Sequence, residues 1–387
     1  MNLRLDRINA LLASLDAKGL YRALRRLEGS GGKFTDAGRT ILNFSSNDYL
    51  NLAADPRLKH AACETIQQYG CGATASRLMS GHLALHARLE SDLAALTGMD
   101  QALVFSSGFQ ANLGVLCSLS DEDTVIFCDK LNHASIIDGA LLSGARFRAY
   151  KHCDAKDLLN LIKADTKQHN RIIVSDAVFS MDGDLAPIEA LAEIAEAHDA
   201  LLVIDEAHAV GIHGKGGGLC RERGIRPDVL VGTLSKALGS QGGFVATSEP
   251  IRRLLINRAR SFIYSTGLAP GCAGSALAAI GIVREEPDLG TELLARAAHF
   301  RRALQVAGLS PLPSISPILP VVVGDNERVL RITARLWERG ILAAGVRPPT
   351  VPDGTARLRL SVTLAHTRED LEFSASEIAE AVRAEFA

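Results

Sequence analysis

Three residues with reactive side chains follow apolar runs of the kind that form buried strands. Lys236 comes after the run VLVG among small residues, and poor solvation there favours its nucleophilic, neutral amine. Asp205 ends the run LLVID, where a carboxylate needs a partner such as a protonated ring nitrogen. His208 follows shortly after and could form a hydrogen bond with a phenolate oxygen. Together these residue types suit covalent chemistry on a carbonyl group.

Further polar residues follow other apolar runs. After ALVF, Ser107 is a candidate helix N-cap and Gly108 permits close backbone approach, so the N–H groups of the first turn could bind an anion. Thr233 offers a hydroxyl to such an anion, and Ser180 lies in a polar turn after RIIVSD. His133, after VIFCD, could stack on a flat ring. Each feature taken alone is more often structural, as a capped helix, a solvated loop or a surface side chain.

One ligand would satisfy all of these groups at once. Pyridoxal 5′-phosphate (PLP) has a phosphate, a ring nitrogen that pairs with an acid, an aldehyde that reacts with a lysine, and a flat face. The segment DEAH, residues 205–208, also matches a box found in nucleic-acid-dependent ATPases. That function requires the phosphate loop G-x-x-x-x-G-K-[ST], and the stretch around Lys215 has neither its spacing nor its order. We therefore interpret the DEAH match as accidental.

The apolar runs predict an α/β fold with a mainly parallel central sheet. They are apolar on both faces, as strands covered by helices on each side should be. The candidate strands are Ala102–Phe105, Thr124–Cys128, Arg171–Ser175, Leu201–Asp205, Val229–Gly232 and Gly243–Thr247. Helical patterns such as Asp154–Ala164 and Leu185–Asp199 alternate with them. Because ligands bind at the carboxyl ends of the strands in such sheets, we expect the polar residues to converge there.

We expect three segments along the chain. An N-terminal helix and strand occupy residues 1–44, a large ligand-binding domain covers 45–279, and a smaller α+β domain covers 280–387. The smaller domain is predicted from helical patterns and strand-like runs at Glu292–Ala307, Ile318–Val323, Glu327–Arg339, Ala356–Val362 and Arg368–Phe386.

Composition excludes several classes of protein. The 387 residues include 42 Lys+Arg and 44 Asp+Glu, so the net charge of −2 gives no general affinity for nucleic acid. With 47% hydrophobic and 22% charged residues, the chain can form a large core. We find no apolar run of about 18 residues that would span a membrane and no signal-peptide core. The seven cysteines are scattered without a C-x-x-C pair, so we expect a cytoplasmic protein with neither a disulfide framework nor a metal site.

The stretch TLSKALGSQGG, residues 233–243, resembles the lysine signature of class-II PLP-dependent transferases. Together with NFSSNDYL, SSGFQAN, NHAS, VFSMDGD, DEAH and YSTGLAP, it is similar to the α-oxoamine synthase family. The order and spacing of these motifs fit over nearly the whole chain. The resemblance implies a PLP-dependent transferase of fold type I, with a large domain and a smaller C-terminal α+β domain.

The resemblance also implies roles for individual residues. The implied catalytic residues are Lys236, which forms a Schiff base with PLP, Asp205 at the ring nitrogen, His208 at the ring oxygen and His133 on the ring face. The other implied cofactor contacts are Gly108, Phe109, Ser180, Thr233 and, from the second subunit of a homodimer, Thr266. The implied substrate contacts are Asn47, Arg359 and His133 on the amino-acid side, and Arg22, Arg347 and Thr350 on the acyl side.

The loop GVRPPTVPDGTARLRL, residues 345–360, is similar to that of family members that join L-alanine to a pimeloyl thioester in biotin biosynthesis. The resemblance leaves open whether the thiol is CoA or a carrier protein. A sister synthase that uses glycine or serine is the alternative, and an ordinary aminotransferase would share the fold and the lysine. Asp176, Ala209 and His82 depart from the family pattern, which leaves the acyl-chain preference open.

Overall fold

The computed structural model describes residues 3–165 and 170–386. In these residues the helices are α1 Leu3–Ala17, α2 Pro56–Tyr69, α3 Ala84–Thr97, α4 Gly108–Leu119, α5 Ala134–Leu142, α6 Ala155–Ala164, α7 Ile188–Ala197, α8 Leu219–Glu222, α9 Glu249–Arg258, α10 Arg260–Ile263, α11 Pro270–Glu285, α12 Leu289–Val306, α13 Asn326–Glu338 and α14 Arg368–Arg383. The strands are β1 Lys33–Asp36, β2 Arg39–Asn43, β3 Gln101–Phe105, β4 Thr124–Asp129, β5 Arg146–Tyr150, β6 Asn170–Asp176, β7 Ala200–Asp205, β8 Val229–Thr233, β9 Gly243–Thr247, β10 Ile318–Gly324, β11 Ile341–Leu342, β12 Ala344–Val346 and β13 Ala356–Ser361. Among the described helices, none combines the length and the apolar character needed to cross a membrane.

The chain divides into two compact units. The large unit comprises Asn47–Ser180 and Asp184–Leu293. The small unit comprises the residues up to Ser46, the short segment Met181–Gly183 and the chain from Leu294 onward. The N-terminal helix and strands therefore group with the C-terminal part of the chain.

The large unit is built on a seven-stranded sheet in the order β3-β9-β8-β7-β6-β4-β5. The pairs β4–β5, β4–β6, β6–β7 and β7–β8 are parallel, and only β9 runs antiparallel to both of its neighbours. The predicted, mainly parallel sheet is therefore confirmed. Six strands point their carboxyl ends toward the same edge, and β9 begins at that edge.

Both faces of this sheet are buried, as the apolar runs predicted. On β4, Val125 and Phe127 pack into one core cluster with residues of α6 and α7. The alternate residues Ile126 and Cys128 pack into a second cluster with residues of α4 and α5. All four side chains are fully buried. The two-residue period of a strand thus places hydrophobic side chains under helices on each side.

The six predicted strands are confirmed with ends shifted by one residue at most, and the sheet has a seventh that we did not predict. This strand, β5, contains Arg146 and Arg148 and, among the described strands, pairs with β4 alone at the sheet edge. An edge strand exposes part of its surface and tolerates charged residues. Its sequence, RFRAY, therefore lacks the continuous apolar character on which the prediction depended.

The small unit contains two three-stranded sheets. One has the order β10-β13-β12 and is antiparallel throughout. In the other, β2 pairs antiparallel with β1 and parallel with β11. The predicted helices and strands of the C-terminal region are confirmed, and the α+β character follows from their combination with α12, α13 and α14.

Candidate active site

The carboxyl ends of the parallel strands bring the predicted reactive residues of the large unit to one edge of its sheet. Asp205 ends β7, and Asp176 ends the neighbouring strand β6 in register with it. Thr233 ends β8 on the other side, and Lys236 follows it. His133 lies four residues beyond the end of β4. The topology thus explains why residues distant in the sequence meet at this edge.

Lys236 lies at one end of a line of three polar side chains. Its Nζ is 2.7 Å from His208 Nε2, and His208 Nδ1 is 2.7 Å from the phenolic oxygen of Tyr49. Tyr49 is fully buried and His208 nearly so, and the phenolic oxygen lies 3.2 Å from Asn47 Oδ1. His208 therefore links the amine of Lys236 to a buried phenol. The predicted substrate residue Asn47 belongs to the same group of contacts.

Asp205 is buried, with 5% of its surface exposed, and its two oxygens accept different hydrogen bonds. The backbone N–H of Ala207 donates to Oδ1 at 2.8 Å, and Asn112 Nδ2 donates to Oδ2 at 2.6 Å. Asn112 Nδ2 also donates to Ser135 Oγ at 2.9 Å. These donors hold a buried carboxylate in one orientation, which suits an acid that must face a ring nitrogen.

His133 caps the N-terminus of α5, and its own backbone is held by Asp176. The backbone N–H of His133 donates to Asp176 Oδ2 at 2.7 Å. Although the His133 side chain is exposed, the atoms around its ring desolvate it and lower its pKa. Complete burial, reinforced by the charge of Asp205, raises the pKa of Asp176 well above its usual value. Asp176 thus orients the backbone of His133.

The predicted anion site lies at the start of α4. Ser107 caps this helix by accepting a hydrogen bond from the backbone N–H of Gln110. Gly108 and Phe109 occupy the first turn, where N–H groups have no acceptor within the helix. Gly243, at the start of β9, lies so close that a Cβ there would stand 2.4 Å from the Gly108 nitrogen. The helix dipole and these N–H groups favour a phosphate at this position.

Three other predicted cofactor residues lie in the large unit with different surroundings. Thr233 Oγ1 donates to the carbonyl of Gly242 at 2.8 Å, so its hydroxyl would have to rotate to donate to a phosphate. Ser180 is half-buried in the turn that follows β6. Thr266 is exposed, and its carbonyl accepts a hydrogen bond from Ser106 Oγ at 2.9 Å. The proposed contact of Thr266 with a second subunit stays a prediction.

The remaining predicted substrate residues belong to the small unit. Arg347 is buried, and its NH1 donates to the carbonyls of Gly19 and Tyr21. Arg22 NH2 donates to the Pro348 carbonyl at 3.2 Å, so these two arginines connect the same two segments. Burial and the neighbouring charge of Arg22 lower the pKa of Arg347.

Arg359 and Thr350 also lie in the small unit. Arg359 is buried on β13 and its NH1 donates to Ser361 Oγ at 2.8 Å. Thr350 is exposed in the loop before β13. Their predicted substrate contacts, like those of Arg22 and Arg347, stay predictions.

Sequence reasoning did not assign Tyr49, Asn112 or Ser135 to the site. Asn112 carries the clearest signal, because it is a polar residue within the largely apolar helix GFQANLGVLCSL. A buried amide requires hydrogen-bond partners, so its neighbours should have been expected to be polar. Tyr49 gave no such signal, since its contact with His208 spans 159 residues of sequence.

The acidic residue Glu206 of the DEAH segment has a structural role. It is fully buried and accepts hydrogen bonds from the backbone N–H groups of Leu219 and Cys220, at 2.8 and 2.6 Å. These groups lie in the first turn of α8, so Glu206 stabilises the start of that helix. This contact explains the acid without any ATPase chemistry.

A second cluster of the large unit has the side-chain types of a metal site. It contains Asp129, His152 and Cys153. However, His152 Nδ1 lies 3.0 Å from Asp129 Oδ1 and Nε2 lies 2.8 Å from Asp184 Oδ2. Although burial alone would lower it, the hydrogen bonds to both carboxylates raise the pKa of His152 to about 12. An imidazolium has no lone pair for a metal, so this arrangement is an ion-pair bridge.

The large-unit residues fit PLP on the chemistry of their donors. A helix N-terminus that Gly243 leaves uncrowded can accept the phosphate, and the buried carboxylate of Asp205 can pair with a protonated ring nitrogen. Lys236 supplies the amine at the same sheet edge, and His133 lies beside it. The amide of Asn112 donates to Asp205 and to Ser135, and its buried oxygen has no hydrogen-bond partner among the described residues.

Comparison with known proteins identifies the family of this chain. The family model for aminotransferases of class I and II matches residues 39–378. The 8-amino-7-oxononanoate synthase of Anaeromyxobacter dehalogenans is 46% identical over 366 residues, covering 94% of this chain and 92% of that protein. The solved structure of a serine palmitoyltransferase from S. paucimobilis, with a bound PLP–myriocin adduct, has a TM-score of 0.92 at 26% identity, covering 99% of this chain and 98% of that one.

A solved 8-amino-7-oxononanoate synthase from Francisella tularensis has a TM-score of 0.77 at 31% identity, covering 90% of this chain and 99% of that one. The chain belongs to the aminotransferase class I and II family and, within it, to the 8-amino-7-oxononanoate synthases. It is a PLP-dependent acyltransferase, so the predicted fold, cofactor and enzyme class are confirmed.

Proposed function

We propose that this chain condenses L-alanine with a pimeloyl thioester, of CoA or of a carrier protein, to give 8-amino-7-oxononanoate, CO2 and the free thiol. The observation that carries the proposal is the meeting of Lys236, Asp205 and His133 at one sheet edge in a chain so similar to synthases of that name. The α-carbon of alanine forms a bond to the thioester carbonyl carbon and the thiolate leaves. The carboxylate of the former alanine then leaves as CO2, and a proton replaces it.

Each predicted site residue of the large unit has a separate role in this reaction. When bound, PLP supplies an electron-withdrawing ring that stabilises negative charge on the α-carbon of the amino acid. Asp205 holds the proton on the ring nitrogen and so maintains that electron demand. Lys236 removes the α-proton of the amino acid. His208 Nε2, which lies 2.7 Å from the Lys236 amine, then accepts a proton from that amine. The N-terminus of α4, with Gly108 and Phe109, holds the phosphate.

The small unit supports a substrate with a second carboxylate. Arg22 and Arg347 lie close enough for one charge to lower the pKa of the other. Within the described part of the chain, the Nε of Arg347 has no hydrogen-bond partner although it is buried. Two adjacent guanidinium groups repel each other, and an anionic ligand that accepts from both relieves that repulsion. The distal carboxylate of a pimeloyl chain has this charge.

The decisive assay incubates the purified holoenzyme with L-alanine and pimeloyl-CoA or pimeloyl carrier protein, and identifies products by mass spectrometry. We expect 8-amino-7-oxononanoate, with glycine and L-serine giving little product. Product from glycine or serine but not alanine would assign the chain to a sister synthase. Conversion of the cofactor to its amine form, without CO2, would assign it to the aminotransferases.

A second assay tests the acyl side. Arg347→Leu should raise the KM for the pimeloyl thioester about 10- to 100-fold, the effect of losing a charged hydrogen bond. A heptanoyl thioester, which lacks the distal carboxylate, serves as the control substrate and should show the same KM in both enzymes. An equal rise for both thioesters would show that Arg347 has only a structural role.

We also propose a homodimer and a cytoplasmic location. An isolated β-bridge joins Ser76 to Thr266, and the apolar side chains next to these residues in the sequence, Leu78, Met79 and Tyr264, are exposed. Exposed apolar side chains in one region favour an interface between subunits, which the role proposed for Thr266 requires. Light scattering after size exclusion should give twice the mass of 41.2 kDa. The seven unpaired cysteines support a reducing compartment, which cell fractionation can test.

A further inference from the structure

A continuous series of hydrogen bonds joins the acid Asp205 to the imidazole of His133. Asn112 Nδ2 lies 2.6 Å from Asp205 Oδ2 and 2.9 Å from Ser135 Oγ. Ser135 Oγ in turn lies 2.8 Å from His133 Nδ1. Asn112 and Ser135 are 2% and 1% exposed, so water has little access to these bonds.

The direction of each hydrogen bond follows from the donors available. Asn112 uses both amide hydrogens, one for Asp205 and one for Ser135, and the reversed amide would place its oxygen against a carboxylate. Ser135 Oγ accepts from Asn112 and keeps its own hydrogen, which it can donate to His133 Nδ1 at 2.8 Å. The backbone N–H of Ser135 also donates to Nδ1 at 3.3 Å. A ring nitrogen that accepts hydrogen bonds carries no hydrogen, which leaves the single ring hydrogen of His133 on Nε2.

The charges around His133 act in opposite directions. Asp205 on β7 and Asp138 on α5 favour the charged ring, whereas Lys236 after β8 disfavours it. Asp176 on β6 accepts from the His133 backbone rather than from its ring. Desolvation is the largest of these effects and favours the neutral form. The neutral ring that desolvation favours agrees with the hydrogen-bond directions.

We propose that Asn112 and Ser135 are positioning residues that hold His133 as the neutral tautomer with its hydrogen on Nε2. This inference rests on the proposed function for its catalytic meaning. A neutral Nε2–H can orient the carboxylate of the amino acid, whereas an imidazolium would form an ion pair with it. Decarboxylation removes that negative charge, so an ion pair would stabilise the ground state more than the transition state. A neutral donor avoids this penalty.

The substitution Ser135→Ala tests the proposal, because it removes the Oγ hydrogen and little volume. Ser135→Thr restores a hydroxyl. Ser118→Ala is the matched control, since Ser118 is a fully buried serine on α4 whose Oγ has no hydrogen-bond partner among the described residues. Circular dichroism and cofactor stoichiometry would verify that each variant folds and loads.

The first readout is the tautomer itself, measured by proton–nitrogen correlation NMR on protein labelled at its 11 histidines. Loss of one signal in His133→Gln assigns the resonance, and both apoenzyme and holoenzyme are measured between about pH 6 and 8. We expect a neutral, Nε2-protonated ring in the wild type. In Ser135→Ala the ring should show mixed tautomers and a raised pKa, with restoration in Ser135→Thr.

The second readout is kinetic. With Ser135→Ala, kcat should fall about 5- to 10-fold, the effect of one neutral hydrogen bond, while the KM for the amino acid stays equal or falls. The acid limb of the kcat profile should also move to higher pH. Ser118→Ala should behave as the wild type in both readouts.

Two results would overturn the proposal. One is a wild-type His133 ring with its hydrogen on Nδ1 or on both nitrogens, and the other is an unchanged tautomer in Ser135→Ala. The NMR measurement needs no substrate. If alanine proved not to be the substrate while the tautomer was as expected, the proposed function would fail and the positioning role would stand.

Discussion

His152 gives the structure its most quantitative test, because one imidazolium bridges two carboxylates. Asp129, at the end of β4, is 1% exposed on its side chain, and Asp184 is 33% exposed. Asp184 also accepts, through its carbonyl, a hydrogen bond from the Phe179 N–H at 3.0 Å. The bridge thus ties the turn that contains Ser180 to the sheet. We predict that His152→Gln destabilises the fold in a pH-dependent manner.

The magnitude follows from burial and from the pKa. Removing one partner of a fully buried ion pair costs about 3–5 kcal/mol, and the exposure of Asp184 places the expected loss nearer about 2–3 kcal/mol. The folded pKa of about 12 lies above the unfolded value of about 6.5. His152 therefore makes its full contribution to the free energy of unfolding below about pH 6.5. This contribution is lost as the pH rises toward 12, by at most about 1.4 kcal/mol per pH unit. The difference in the free energy of unfolding between wild type and variant should narrow by about 2 kcal/mol between pH 6.5 and 8.5.

Urea unfolding followed by circular dichroism at pH 6.5, 7.5 and 8.5 measures this difference, once reversibility is established for each protein. His60→Gln is the control, since His60 pairs with Glu64 on the surface and its side chain is 74% exposed. That control should change the free energy of unfolding by less than about 0.5 kcal/mol. A difference for His152→Gln that stays constant or grows with pH would refute the bridge between two charged carboxylates.

Three further predictions concern the active edge. Lys236→Ala should abolish turnover and the absorption of the covalently bound cofactor, and activity near the wild-type level would contradict its role as the base. Asp205→Asn should reduce kcat by about 10²- to 10³-fold in a steady-state assay, as expected when charge stabilisation at the reacting group is lost, with cofactor binding measured separately. Gly243→Ala should cost about 1–3 kcal/mol in urea unfolding and weaken cofactor binding, because its Cβ would stand 2.4 Å from the nitrogen of Gly108. Gly281→Ala, in a helix with no heavy atom within 4 Å of the new Cβ, should be neutral or stabilising, and equal losses in the two glycine variants would contradict the crowding argument.

The sequence predicts the sheet of the large unit well because its strands are buried on both faces. Such strands need continuous apolar runs, and β9 begins and ends at the predicted residues, Gly243 and Thr247. The edge strand β5 obeys a different rule, since Arg146 and Arg148 can reach solvent there. The errors of the prediction therefore concentrate where burial ceases to constrain the residue type.

The residues of the candidate site also differ in how well the sequence predicts their positions. Asp205, Thr233 and Lys236 could be placed at one edge from their positions at or just beyond strand ends, since parallel strands share a direction. Tyr49 could not, because it approaches His208 from a loop that no periodic pattern locates.

Asn112 shows what a closer physical reading of a sequence could recover. Its position in a largely apolar, buried helix requires polar partners, and Ser107 fixes where that helix begins at the sheet edge. Counting along the helix then places the amide near the carboxyl ends of the strands, where a buried acid also needs a donor. Each group alone is costly to bury, and the hydrogen bond of 2.6 Å gives the carboxylate a donor and the amide nitrogen an acceptor. Two polar residues in separate apolar segments can therefore be predicted to form a hydrogen bond with each other, even where the family resemblance assigns no role to one of them.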